Sequence, residues 1–119
     1  MRIISAVALS LAFGTAAQAG ALLASDPSAM TPGTTDSCLV VNITAKPLTD
    51  VTVSIWKSGG TVPEVSQTYA TVAPNSQAGF QSNALQGGIR FCTVTLKGSA
   101  KAIRGQFCNL TTNICSSLR

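Results

Sequence analysis

The sequence predicts an all-β protein, a small antiparallel sandwich of about seven short strands held by two disulfides. Three observations lead there. Apolar residues alternate with polar ones at a period of two in segment after segment, and no stripe of helical period competes with them. Glycine, proline and asparagine punctuate the chain at short intervals. Four cysteines and no histidine occur among 119 residues, an even count suited to disulfides rather than to a metal site.

The elements follow in chain order. "MRIISAVALSLAFGTAAQAG" places Arg2 before an apolar run from Ile3 to Phe13 and ends on Ala17-Gln18-Ala19. That order is a secretory signal peptide over residues 1–19, cleaved after Ala19. The run is too short to span a bilayer, which takes about 20 apolar residues, and no second transmembrane candidate follows. Residues 20–36, rich in Pro, Gly and small polar residues, are expected as an extended, loosely held lead-in. The patterned domain is expected over residues 37–119. "CLVVNITA" puts Leu39, Val41 and Ile43 on one face, and Lys46 to Asp50 supplies the turn to "DVTVSIWK". There Val51, Val53 and Ile55 face the core and Trp56 points outward. Ser58-Gly59-Gly60 ends that strand. "SQTYATV" follows, with Ala70 and Val72 opposed to Tyr69 and Thr71. Pro74-Asn75 turns into "QAGFQS", which carries Phe80. Gln86-Gly87-Gly88 breaks before "RFCTVTLK", where Cys92, Val94 and Leu96 share a face. "AIRGQFC" sets Ile103 and Phe107 against Arg104 and Cys108. A short last strand runs through Ile114 and Cys115.

Four cysteines allow three connectivities, and proximity favours Cys108 with Cys115, leaving Cys38 with Cys92. A four-residue loop from Leu110 to Asn113 would set Cys108 opposite Cys115 at a narrow position, with Asn113 in the left-handed conformation it tolerates. On the chain-entropy model the short loop contributes roughly 2.5 kcal/mol and the long one roughly 4. The cysteine that opens the first strand, the "RFCTVTLKG" strand and the "IRGQFC" behind it resemble a broad set of small exported bacterial proteins without assigned activity. The likeness covers residues 38–115 and implies a two-disulfide, immunoglobulin-like β-sandwich, but no functional residue. Against true immunoglobulin domains, Arg90 stands where a tyrosine would precede the second cysteine by two. Cys38 also sits on the parity opposite Leu39, Val41 and Ile43, which implies a bulge or a bond along an edge.

The chemistry is bounded by absences of residue types. Without histidine, Ser-His-Asp and Cys-His machinery and imidazole metal ligation are excluded, and no cofactor motif is present. Ser54-Ile-Trp-Lys57 matches an S-x-x-K pattern, yet on a strand positions three apart face opposite ways. A paired-carboxylate site would need Asp36, Asp50 or Glu64 gathered by folding. Asn42-Ile-Thr44 and Asn109-Leu-Thr111 are glycosylation sequons. All four acids, Asp26, Asp36, Asp50 and Glu64, precede Arg90, Lys97, Lys101, Arg104 and Arg119. Two features are candidate binding surfaces: Lys97, Lys101 and Arg104 around the "KGSAK" turn, and the outward Trp56, whose ring suits stacking on a sugar. The expectation is an exported, non-enzymatic binding or envelope-associated domain. Its candidate partners are an anionic polysaccharide or another envelope protein; few aromatics and no recognition motif argue against nucleic acid. The alternative is an inhibitor of a secreted hydrolase that presents the 108–115 hairpin, preorganised by its disulfide.

Overall fold

A computed structural model describes residues 20–84 and 86–119, so the expected leader over 1–19 lies outside the described residues. Among the described residues nine strands form two antiparallel sheets packed as a sandwich: β1 (Ala21–Ala24), β2 (Ser28–Met30), β3 (Thr34–Asn42), β4 (Leu48–Lys57), β5 (Val65–Val72), β6 (Gln77–Ala84), β7 (Gly88–Leu96), β8 (Ile103–Asn109) and β9 (Ile114–Ser117). One sheet runs β1-β7-β4-β5 with β2 beside β1 on the same edge of β7; the other runs β6-β3-β8-β9. Among the described residues no helix is long and apolar enough to cross a membrane. The seven strands expected over 37–119 are present, except that β3 begins slightly earlier, at Thr34.

Residues 20–36 differ from the expectation. They are extended but not loose: Ala21–Ala24 pairs with Thr93–Leu96, and Ser28–Met30 with Gly88–Arg90. Leu23 and Met30 are core residues. The segment's prolines, Pro27 and Pro32, flank β2 instead of interrupting it, so they cost no ladder bonds.

The alternation of β4 and β7 holds as expected: Val51, Val53, Ile55, Cys92, Val94 and Leu96 are buried between the sheets. β3 is reversed. Cys38 (0% exposed), Val40 and Asn42 face the core, while Leu39 (37%) and Ile43 (46%) are exposed and Val41 is half-buried. No bulge or edge bond is needed, because Cys38 itself sets the parity. It joins Cys92 across the core, with Cα atoms 6.2 Å apart, and ties β3 to β7 at the centre of both sheets. Alternation on β5 is also broken. Val72 is buried as expected, but Ala70 is exposed and Tyr69 packs on the core. Asp50, opposite this stretch on β4, has φ 53°, a left-handed turn that brings both Leu48 and Val51 to the core side.

The open sides of the sandwich are laced. On one, the Tyr69 hydroxyl donates to the Gly79 carbonyl at 2.8 Å, joining β5 to β6. Gly79 has φ 136°, and a Cβ there would lie 2.0 Å from the Cys38 carbonyl oxygen, so only glycine permits this approach of β6 to β3. On the other side, Ala24 and Arg119 exchange backbone hydrogen bonds at 3.0 Å each way, and Leu118 is buried beside them.

The last hairpin matches its expectation. Cys108 pairs with Cys115 and Asn109 with Ile114, leaving Leu110–Asn113 as a four-residue loop with Asn113 at φ 60°. The disulfide closes across facing positions with Cα atoms 4.0 Å apart. Two disulfides and a sandwich core of modest size suit an oxidising, extracellular environment.

Candidate functional site

All four acids precede the five bases from Arg90 onward in the sequence, and folding brings three of each together. Lys97 pairs with Asp50 at 2.7 Å, Arg119 with Asp26 at 3.0 Å, and Arg90 with Glu64 through its Nε and Nη2. The cluster expected around the "KGSAK" turn is thereby thinned. Lys97 is held by its carboxylate, and among the described residues only Lys101 and Arg104 of that group have no ion-pair partner. Lys101 lies in a 3-10 turn (Ala100–Ala102) capped by the Ser99 hydroxyl. Arg104 lies on the outer face of β8, where its Nη1 donates to the Ile103 carbonyl at 3.0 Å.

Arg90 is the largest fully buried side chain, 1% exposed, at one end of the sandwich. Beyond Glu64 it donates to the Gln86 carbonyl at 2.8 Å. Asp36, also 1% exposed, shares this region. Burial lifts its pKa to about 6 against the opposing pull of the Arg90 charge. Folding thus gathers Asp36 and Glu64 around one guanidinium, not around each other. The buried Asp36 is out of a substrate's reach, and Glu64 is clamped.

Both sequon asparagines are structural. Asn42, fully buried, donates from its amide to the Lys46 and Val72 carbonyls and accepts from the Thr44 backbone N–H and hydroxyl. Asn109 accepts from the Thr111 and Thr112 backbone N–H groups. In each N-x-T the asparagine caps its own turn. The S-x-x-K pair is inert in the same sense: Ser54 is bonded to Ser66 at 2.9 Å on the strand face opposite Lys57.

Trp56 does point outward, and it is not alone. Phe91 stands directly opposite on β7, the two rings parallel within 5° and 6.3 Å apart between centroids. The indole N–H donates to the Thr93 hydroxyl at 2.8 Å, which fixes the ring over the sheet. Beside this pair the register aligns two rows of hydroxyls across three strands. One is Thr95–Thr52–Thr68 and the other Thr93–Ser54–Ser66. Thr52 bonds Thr68 at 2.8 Å, as Ser54 does Ser66 at 2.9 Å, so the side chains are held in place. No charged residue belongs to this grid. Sequence reasoning found Trp56 but missed the array; its signals were the period-two hydroxyls of Thr52-Val-Ser54, Ser66-Gln-Thr68 and Thr93-Val-Thr95, legible only once strand register is known.

No protein-family model, no curated protein and no solved structure matches this chain, and the resemblance to small exported two-disulfide proteins finds no support there.

Proposed function

We propose that the chain, exported after removal of a leader ending at Ala19, is a non-enzymatic binding domain whose ligand is an uncharged glycan. The observation that carries this reading is the parallel Trp56–Phe91 pair bordered by two rows of ordered hydroxyls on the outer face of the five-stranded sheet, all but the buried Ser54 at least partly exposed. A pyranose ring offers an apolar C–H face surrounded by hydroxyls. It is matched by a partly exposed aromatic surface next to groups that both donate and accept. Cross-strand bonds already order these side chains, which lowers the entropy lost on binding. The cations lend less to an anionic polymer than their spacing in sequence implies, because Lys97 is engaged by Asp50. The hydrolase-inhibitor reading is also weaker. The Leu110 backbone N–H donates to the Thr35 carbonyl at 2.8 Å, binding the 108–115 hairpin back to its own sheet. A non-enzymatic role is supported by the lack of histidine and by the burial or pairing of the four carboxylates.

Affinity electrophoresis in gels containing neutral or anionic polysaccharides tests this. The expected result is retardation by a neutral polymer, unchanged by salt. It should be reduced about tenfold or more by Trp56→Ala, and also by Thr68→Ala/Thr95→Ala, while Lys101→Ala leaves it intact. Retardation by anionic polymers alone, or a Trp56→Ala variant as strongly retarded as the parent, would remove the proposal.

A further inference from the structure

On the opposite face of the molecule, β3 carries Leu39, Val41 and Ile43 in a row on its outward side, two of them exposed and the third half-buried. Three aliphatic residues on the solvent side of a central strand run against the usual pattern of such sheets. Leu39 and Val41 border a shallow depression of about 430 Å³, large enough for a small ligand. Leu39 and Val41 supply its apolar lining, with Gln77 on β6 and Gln106 on β8 flanking them. Arg104 faces Val41 directly across the ladder and also lines the depression. Its guanidinium is held by the Ile103 carbonyl, and no carboxylate of the described chain reaches it. The four acids are committed elsewhere: Asp26 to Arg119, Asp50 to Lys97 and Glu64 to Arg90, while Asp36 is buried.

We propose that this depression is a second binding site, for an amphiphile that joins a carboxylate to a short aliphatic body. The aliphatic part lies on Leu39 and Val41, and the carboxylate accepts from Arg104. A planar guanidinium fits a carboxylate through paired hydrogen bonds, and its weak hydration makes it a better partner than lysine beside apolar surface. The amide side chains of Gln77 and Gln106 are uncharged and so do not oppose an anion at the rim. This site is independent of the glycan face, which lies on the other sheet.

The test is calorimetric titration of the full chain with decanoate, decanol and acetate, well below micelle-forming concentrations. Decanoate should bind at least tenfold more tightly than decanol, by the worth of a charge-assisted hydrogen bond. Acetate, lacking the aliphatic body, should bind more weakly than either. Arg104→Gln should bring decanoate down to the level of decanol. Leu39→Gln should weaken both, and Trp56→Ala should change neither. All three positions are at least partly solvent-exposed, and circular dichroism verifies that the variants fold. Equal binding of decanoate and decanol by the parent chain overturns the proposal, as does binding of neither. A concentration-dependent dimer abolished by Leu39→Gln would assign the face to a second copy of the chain and overturn it equally.

Discussion

At the scale of single residues, the least ordinary pair is Asp36 and Arg90, two ionisable side chains in an interior that otherwise excludes charge. Arg90 is compensated by Glu64 and the Gln86 carbonyl, whereas Asp36 Oδ1 and Arg90 Nη1 have no hydrogen-bond partner among the described residues. An incompletely bonded buried carboxylate favours its protonated form, which is why the Asp36 pKa rises from 3.8 to about 6. The sign of the linkage follows. A proton held more tightly by the folded state adds stability that is complete below about pH 4 and lost as pH rises through 6. Asp36→Asn should therefore raise stability at pH 7 by up to roughly 3 kcal/mol, with the advantage vanishing near pH 4. Urea midpoints of parent and variant across that window measure it, and an Asn variant less stable than the parent at pH 7 would contradict it. Nothing in the sequence marks Asp36 as buried, since its neighbours Thr34, Thr35 and Ser37 read as loop. Arg90 was legible only as a residue out of place two positions before Cys92.

At the scale of elements, the C-terminal hairpin is where sequence and structure agree most fully, because every determinant is local. Loop length, the asparagine at its end and the facing cysteines are all set within a few residues of each other. Replacing Cys108 and Cys115 together by alanine should cost roughly 2.5 kcal/mol of unfolding free energy by denaturant melt. Glycan retention by the far sheet should persist. Strand β3 shows the opposite case. Hydropathy favours Leu39, Val41 and Ile43 for the core over Cys38, Val40 and Asn42, and the structure buries the second set. The inter-sheet bond needs Cys38 inside, and the buried Asn42 is tolerated because its side chain makes four hydrogen bonds. The disulfide and the Asn42–Val72 bond are long-range, so a window of sequence cannot weigh them. The same holds for β1 and β2, which are strands by virtue of β7, 58 or more residues away.

At the scale of the whole molecule, the two disulfides are not equivalent. Cys108–Cys115 fastens one hairpin, while Cys38–Cys92 pins the middle of one sheet to the middle of the other. Its removal by Cys38→Ala/Cys92→Ala should cost roughly 4 kcal/mol from loop entropy, plus the packing lost at two fully buried positions. Against a typical stability of about 5–15 kcal/mol that approaches the margin for a domain of this size. Thermal melts should show the single transition falling far more than in the Cys108/Cys115 variant; equal shifts would contradict the distinction. The charge pattern is also a property of the whole. Acids early and bases late in the chain imply a polar surface, yet three cross-fold ion pairs leave outer faces characterised by hydroxyls on one side and aliphatic residues with a single arginine on the other.

The reciprocal bonds between Ala24 and Arg119 carry a consequence for how the protein is made. A nascent chain emerges with β1 long before β7, the strand it adds to, and Ala24 meets its partner Arg119 later still. The pairing that closes this side of the sandwich therefore waits until both distant segments have been made. Assembly is a late, collective event, slow in the manner of folds with distant contacts. Until then β1 presents unpaired backbone of the kind that pairs with neighbouring chains.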